Sequence, residues 1–318
     1  MVHPETSPVF PPPGRRRAEV RFDPGLVRGL LRDQAPAYAD LPFGAVVEGW
    51  DNTIVRLGER HAVRLPRRAA AAPLIRHEQR WLPVLAPRLP VRVPVPVAAG
   101  APARGFPWHW SVVEWVDGQS AASRPLSDPD ALADALAGFL GALHTVAPAD
   151  APPNPLRGVP LAARDSAVRR RASRVARGAD AAAVGRIWDV AMAAPPWTGD
   201  RPWIHGDLHP GNLIVEDGLV AVIDFGDLTA GDPATDLAVA WMLFTPGQRA
   251  RFRAGLPAHD DATWRRAAGW SLNFALAVLD AAEDDPILAG IGRRTLEALR
   301  SDRSVVAPPG RAAPRAQG

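Results

Sequence analysis

Asp207, Asn212 and Asp224 are the residues whose types and spacing point most directly to chemistry. They fall in IHGDLHPGNLIVEDGLVAVIDFGD, residues 204–227. HGDLHPGN holds too much Gly and Pro for regular structure and reads as a loop. NLIVEDGLVAVID reads as a hairpin, with strands Leu213–Val215 and Leu219–Ile223 around an Asp-Gly turn. A hairpin reverses the chain, so Asn212 at its start returns to Asp224 at its end. At about 3.3 Å per strand residue that meeting is local, and Asp207 lies on the loop feeding the same end. Carboxylate and amide oxygens converging at one mouth suit a hard cation such as Mg2+, which keeps waters and substrate phosphate in its shell. A further carboxylate can orient an incoming hydroxyl and accept its proton. Together these are the means of phosphoryl transfer, where positioning and charge neutralisation supply most of the catalysis. A plain polar loop would not need the spacing, the hairpin and the neighbours to agree. His205 and His209 stand at a spacing formally open to zinc, but the segment is not helical and no third ligand is spaced for it.

The elements that must hold these residues can be read from the rest of the chain. Its 318 residues suffice for two lobes with their own cores, and 47% hydrophobic with 22% charged residues is a globular composition. The longest apolar run, Trp270 to Leu279, is short and broken by Asn273, so no membrane span is expected. The opening MVHPETSPVFPPPGRRR lacks the apolar region of a secretory signal, and a cytoplasmic protein is expected. There is no Cys, hence no disulfide or thiol chemistry. All 37 basic residues are Arg, offset by 34 acids to a net charge of +3. The Arg runs at 15–17 and 169–171 read as solvated faces. No aromatic or motif support accompanies them, so no nucleic-acid partner is expected.

Residues 1–20 and 304–318 are rich in Pro, Ala and Arg and read as disordered tails. Pro24 to Asp33 reads as a short helix. Strand-like runs follow at Ala45–Gly49, Thr53–Leu57 and His61–Leu65. A helix over about 72–82 carries Leu74, Ile75, Trp81 and Leu82 on one face. Glu78 lies on that same face, and an inward carboxylate needs a partner. Val93–Ala99 and Trp108–Trp115 read as two more strands. From VDGQS onward the chain is helical, with Asp128 as N-cap and Pro129 after it. Residues 148–162 are Pro-rich, and helices fit 163–193, 233–244 and 262–283. The expected fold is therefore α+β, with a β-rich first part over residues 21–116 and a mostly helical remainder over 117–303.

HGDLHPGN followed by IDFGD resembles the catalytic and metal-binding loops of the aminoglycoside phosphotransferases, relatives of the protein kinases. The resemblance extends over roughly residues 40–300, and the paired motifs are specific. It implies a protein-kinase-like two-lobed fold that moves the γ-phosphoryl group of ATP or GTP, with Mg2+, to a hydroxyl of a small molecule. By this resemblance Asp207 is the catalytic base, Asn212 and Asp224 are the metal ligands, Asp236 in GDPATDLA is the buried acid bracing the catalytic loop, and His205 is a structural pin. GWDNT, with Gly49 and Asn52, occupies the position of the loop over the nucleotide phosphates. Arg64 in VRLPR stands where kinases carry the ATP-binding Lys, with Glu78 in the place of its helix partner. WSVVEWVDG resembles the hinge, where backbone groups near Glu114 and Val116 would meet the adenine edge. Arg for Lys departs from the kinase pattern, since its planar fork differs from a point-charge ammonium. Antibiotic kinases resembling macrolide phosphotransferases also carry Arg here in an RxPR context.

The expected acceptor is an aminoglycoside-like or macrolide-like antibiotic. A housekeeping alcohol of choline, homoserine or fructosamine type, and a nucleotide-binding pseudokinase, are the alternatives. Residues 160–200 and 245–290 are expected to build the acceptor site. If the acidic run 280–285 lines it, a polycation is favoured, and Asp280→Asn and Asp284→Asn should raise KM for cations. If Trp and Phe side chains line it, a macrolide fits better. Trp241, Trp264 and Trp270 are read as core, Arg67 and Arg68 as solvated, and Asp227 as either a third acid of the metal region or a helix cap. The sequence carries no signal of oligomeric state.

Overall fold

In the computed structural model, which describes residues 18–281 and 285–306, strands dominate the first part of the chain and helices the rest. Asp23 caps the first helix, α1 (Pro24–Gln34), by accepting from the amides of Gly25 and Leu26. Strands β1 (Phe43–Glu48), β2 (Asn52–Leu57), β3 (His61–Pro66), β4 (Pro96–Gly100) and β5 (Trp110–Glu114) form one antiparallel sheet in the order β1-β2-β3-β5-β4. Side chains alternate between the faces of a sheet. Val55, Leu57, Val63, Leu65, Trp110 and Val112 form one core with Val27, Leu30 and Leu31 of α1. Ile54, Ala62, Arg64 and Val113 take the other face, which lines a cleft. Helix α2 (Ala72–Leu85) follows β3, with Glu78 buried among Ile75, Trp81 and Leu82.

The second part holds β6 (Gln119–Ser120), α3 (Pro129–Leu143), α4 (Asp165–Val175), α5 (Gly178–Met192) and β7 (Trp203–Ile204). It continues through β8 (Leu213–Val215), β9 (Leu219–Val222), β10 (Thr229–Ala230), α6 (Ala234–Leu237), α7 (Val239–Leu243), α8 (Pro246–Ala254), α9 (Asp261–Asp280), α10 (Pro286–Ser301) and α11 (Arg303–Val306). A second core joins Leu132, Leu136 and Phe139 of α3 to Trp188, Phe225, Phe252 and Leu272. Trp81, Leu82 and Leu85 of α2 also belong to it, and the rings of Trp81 and Trp203 lie 4.9 Å apart. The helix that carries Glu78 is thus anchored in the helical part while it serves the sheet. Trp241, Trp264 and Trp270 are buried, as expected.

The structure refines several boundaries. β4 starts at Pro96 rather than Val93: Pro94 has no N–H to give a ladder, and Pro96 is tolerated as the first residue of the strand. α2 continues to Leu85 with Pro83 inside it. The helical stretch 163–193 is two helices broken at Ala176 and Arg177, and 233–244 is two short ones. The amides of Glu19 and Val20 donate to the carbonyl of Arg67 at 2.8 and 3.3 Å, and Val305 is packed in the second core. The expected tails at 1–17 and 307–318 lie outside the described residues. No helix among the described residues is long and apolar enough to cross a membrane.

Candidate active site

A cleft of about 880 Å³ separates the sheet from the helices. Gly49, Asn52, Arg64, Glu114 and Val116 line it from the sheet side; Asp207, Asn212 and Asp224 line it from the other. His205, Glu78 and Asp236 stand behind that lining as buried supports.

The hairpin does what the sequence pattern required. Leu213 pairs with Val222, and the amide of Ile223 donates to the carbonyl of Asn212 at 3.0 Å, which sets Asn212 beside Asp224. Asn212 Nδ2 donates to the carbonyl of Asp207 at 2.9 Å. The amide oxygen is turned the other way and has no protein partner among the described residues. Asp224 has φ of 63°, left-handed backbone in which Asp is enriched. Its side chain is 52% exposed in the cleft while Phe225 beneath it is fully buried. One outward amide oxygen and one accessible carboxylate suit Mg2+, a cation that draws its remaining ligands from water and phosphate. No cluster of three or more His, Cys, Asp or Glu suited to a metal occurs among the described residues.

Asp236 fixes the loop that carries Asp207. Fully buried, it accepts from the amide of His205 at 2.8 Å and of Gly206 at 2.9 Å through separate oxygens. Gly206 has φ of 85°, and a Cβ there would lie 2.4 Å from the carbonyl oxygen of Asp227, so only glycine fits the turn. His205 Nδ1 lies 3.3 Å from the amide of Asp207 and accepts from it. Nε2 therefore carries the proton and donates to the carbonyl of Ile223 at 3.0 Å, tying the loop to the hairpin. His209 Nδ1 likewise accepts from Gly211 at 3.0 Å, and Nε2 lies 3.7 Å from Asp207.

Arg64 joins the sheet to Asp224. Nη1 meets Glu78 at 2.8 Å and Nη2 meets Asp224 at 3.4 Å. Burial opposes the charge on Arg64, but Glu78 and Asp224 outweigh it and hold its pKa above the usual value. Glu78 also accepts from the amide of Phe225 at 3.0 Å. Arg67 and Arg68, expected to be solvated, are instead tied down. Arg67 is buried, donating to the carbonyl of Gly49 at 2.7 Å and pairing with Glu48 at 2.8 Å, and Arg68 pairs with Asp51. These contacts shape the β1–β2 turn, where the amide of Gly49 donates to the carbonyl of Asn52 at 2.8 Å. Asn52 is buried with its Oδ1 unpaired.

Sequence spacing did not reveal Arg157, which lies in the Pro-rich stretch 148–162. Its Nη2 meets Asp207 at 2.5 Å and its Nε meets Asp227 at 3.2 Å. Asn154 donates to Asp227 at 2.8 Å. Asp227 caps no helix; it lines the cleft and pairs with Arg157, the arginine that meets Asp207. Burial alone would raise the Asp207 pKa, but Arg157, His209 and His205 outweigh it and hold the carboxyl below its ordinary range. Two histidines also went unnoticed. His144 Nε2 lies 3.2 Å from Asp236, and its Nδ1 lies 3.3 Å from Nε2 of His259. Burial, then the neighbouring His144, lower the pKa of His259 to about 4.

Of the acidic run, Asp285 lines the cleft and Asp280 is exposed. Asp280 pairs with Arg174, and Asp285 caps α10 by accepting from Ile287 and Leu288. Residues 282–284, Asp284 among them, lie outside the described residues.

The model of the phosphotransferase enzyme family matches residues 43–270. Among solved structures, the GDP complex of a mutant aminoglycoside 2'-phosphotransferase-IIIa is 21% identical with a TM-score of 0.66, and the match covers 86% of this chain and 96% of that one. The GDP and kanamycin complex of APH(2")-IIIa is 21% identical with a TM-score of 0.65, covering 87% and 99%. The macrolide 2'-phosphotransferase MphH from Brachybacterium faecium, as apoenzyme, is 22% identical with a TM-score of 0.55, covering 87% and 98%. At these identities the likeness concerns the fold, and it is the protein-kinase-like fold expected. No curated protein matches.

Proposed function

Because the chain belongs to the phosphotransferase enzyme family, we propose that it transfers the γ-phosphoryl group of ATP or GTP to a hydroxyl of a small molecule of antibiotic type. The observation that carries this reading is the convergence of Asp207, Asn212 and Asp224 on one cleft that Arg64 and Glu78 bridge to the sheet. In this reading residues 21–116 serve the nucleotide and 117–303 the chemistry and the acceptor. Nucleotide-bound relatives of similar fold support the nucleotide, and antibiotic kinases among them support the acceptor class.

Asn212 and Asp224 would hold Mg2+, which supplies charge neutralisation on the phosphates. Arg64 presents its guanidinium to the phosphates from the sheet. Gly49 and Asn52 bound the phosphate end, and backbone groups near Glu114 and Val116 meet the base. Asp207 holds the acceptor hydroxyl in line. As the acceptor oxygen bonds to the γ-phosphorus, the bond to the bridging oxygen breaks, the nucleoside diphosphate leaves, and the hydroxyl proton passes to the Asp207 carboxylate. A carboxylate held anionic by Arg157 is a weak base. Asp207 therefore acts chiefly by orienting the hydroxyl, taking the proton late, as a loose transition state allows.

The test is nucleotide turnover with a panel of aminoglycosides and macrolides. Asp207→Ala should lower kcat by about 10²–10⁴-fold without unfolding the protein, and Asp224→Ala should raise the Mg2+ requirement. Equal turnover in wild type and Asp207→Ala removes Asp207 from this role.

A further inference from the structure

Resting on the phosphotransferase reading, we infer that the acceptor is an apolar-bodied alcohol carrying an anionic group, carboxylate or phosphate, held by Arg164 and Arg171, while the unpaired Oδ1 of Asn273 accepts from a donor elsewhere on the molecule. The sequence reading left a polycation and a macrolide open, according to whether acids or aromatic side chains line the site; the cleft wall beyond Asp207 carries Arg164 and Arg171 as well as Asp285.

Arg164 ends the turn leading into α4, and Arg171 lies seven residues on, with Val168 buried between them. Positions i, i+4 and i+7 share one helix face, and both arginines line the cleft together with Arg157. Arg157 is satisfied by Asp207 and Asp227. Arg164 and Arg171 form no hydrogen bond or ion pair among the described residues, and the Nε of Arg164 is buried without a partner. Each is half-buried beside like charge. Burial, then Arg171 and Arg157, depress the Arg164 pKa; burial and the neighbouring arginines depress that of Arg171, with Asp280 opposing. Partly desolvated guanidiniums without a hydrogen-bonded carboxylate are costly unless an anion joins them.

Asn273 supplies an independent sign of a ligand. This residue, which interrupts the apolar run of α9, is 4% exposed, lines the same cleft, and has Oδ1 buried without a partner. Buried amides are almost always satisfied in the working state. Apolar side chains line the same cleft. Phe274 stands against His209, and Leu156 and Ile287 are left 52% and 54% exposed. Large apolar side chains exposed in a concave wall, with a few converging polar groups, describe a pocket for an apolar molecule. The acids at this end are engaged, Asp280 with Arg174 and Asp285 with the start of α10. Glu283 and Asp284 lie outside the described residues, and the experiment includes them.

The probes are alcohols of apolar body in matched forms, an ω-hydroxy fatty acid, its primary amide and its methylene phosphate analogue, run beside kanamycin and erythromycin. Phosphoryl transfer is followed by nucleotide consumption, and binding of the acid and the amide by calorimetry. The acid or the phosphate should exceed the amide by about ten- to hundredfold in kcat/KM, the scale of one or two charge-assisted hydrogen bonds. Arg164→Gln with Arg171→Gln should erase that difference through the acceptor KM, weakening the acid and the phosphate far more than the amide, and should leave the nucleotide KM unchanged. The inference is overturned if wild type transfers to kanamycin or erythromycin while the acid, amide and phosphate bind alike. It is also overturned if Glu283→Gln with Asp284→Asn, rather than the arginine pair, sets the acceptor KM. Absence of transfer to every probe, with Mg-nucleotide bound and no calorimetric binding of the acid, removes the kinase reading as well. Acid binding that the arginine variants abolish, without transfer, upholds the subsite and removes only the proposed chemistry.

Discussion

Replacing Asp236 by Asn tests whether a buried carboxylate, rather than the loop sequence itself, places Asp207. The two carboxylate oxygens accept separately from His205 and Gly206, at 2.8 and 2.9 Å. Hydrogen bonds to a charged group are worth about 1.5–3 kcal/mol each. Asn keeps one acceptor and turns an NH2 toward the other amide, so one bond is lost outright and the survivor loses its charge. A donor left facing a donor in a fully buried site adds a desolvation penalty of about 1–3 kcal/mol. The total is roughly 3–5 kcal/mol, a large share of the 5–15 kcal/mol that holds a typical domain. The loop then relaxes just before Asp207, and kcat should fall by about 10²-fold, since misplacement of about 1 Å can cost that much. Equilibrium urea unfolding followed by circular dichroism gives the first quantity, and steady-state turnover at saturating Mg-nucleotide gives the second. Should Asp236→Asn unfold within about 1 kcal/mol of wild type and turn over normally, the bracing role is refuted. If the variant is too unstable to purify, the carboxylate-preserving Asp236→Glu should be soluble yet slow, because its longer arm cannot meet both amides.

Arg64→Lys should destabilise by about 1–3 kcal/mol and raise the nucleotide KM, because a single ammonium cannot span Glu78 and Asp224 as the fork does. Thermal unfolding and nucleotide kinetics check this, and unchanged values for both would show that the fork is not used. His259 should make the fold acid-sensitive. Its folded pKa of about 4 lies below the ordinary 6.5, so its stabilisation is complete above pH 6.5 and is lost as pH falls toward 4. Allowing for its partial exposure, the loss at pH 5 is about 1–2 kcal/mol. His259→Gln should flatten that part of the pH–stability curve measured by urea unfolding between pH 7.5 and 5, and an equally steep curve would assign the acid sensitivity elsewhere.

Much of the site was legible because it is local. Asn212 and Asp224 meet through a hairpin whose turn and strands are spelled in consecutive residues, and the loop bearing Asp207 adjoins it. Glu78 declared itself as a carboxylate on an apolar helix face, and it is buried against Arg64 and the amide of Phe225. The β-rich start, the helical remainder and the capped start of α3 follow from periodicity and capping residues, which act over a few residues. The partners joined by packing stayed hidden. Arg157 meets Asp207 from 50 residues away, Arg64 meets Asp224 from 160, and His144 meets Asp236 from 92. In a chain with 37 arginines, no local pattern distinguishes the one that reaches a given carboxylate. Arg171 shows the limit most plainly, since its run 169–171 looks like a solvated face. Arg169 does pair at the surface with Asp165 and Asp189, while Arg171, two residues on and turned by the helix, lines the cleft. Sequence determined which groups can carry charge and which segments bend or coil. Tertiary packing decided which charges are stripped of water and left facing one another, because burial is set by the whole surface surrounding a residue and not by its neighbours in the chain.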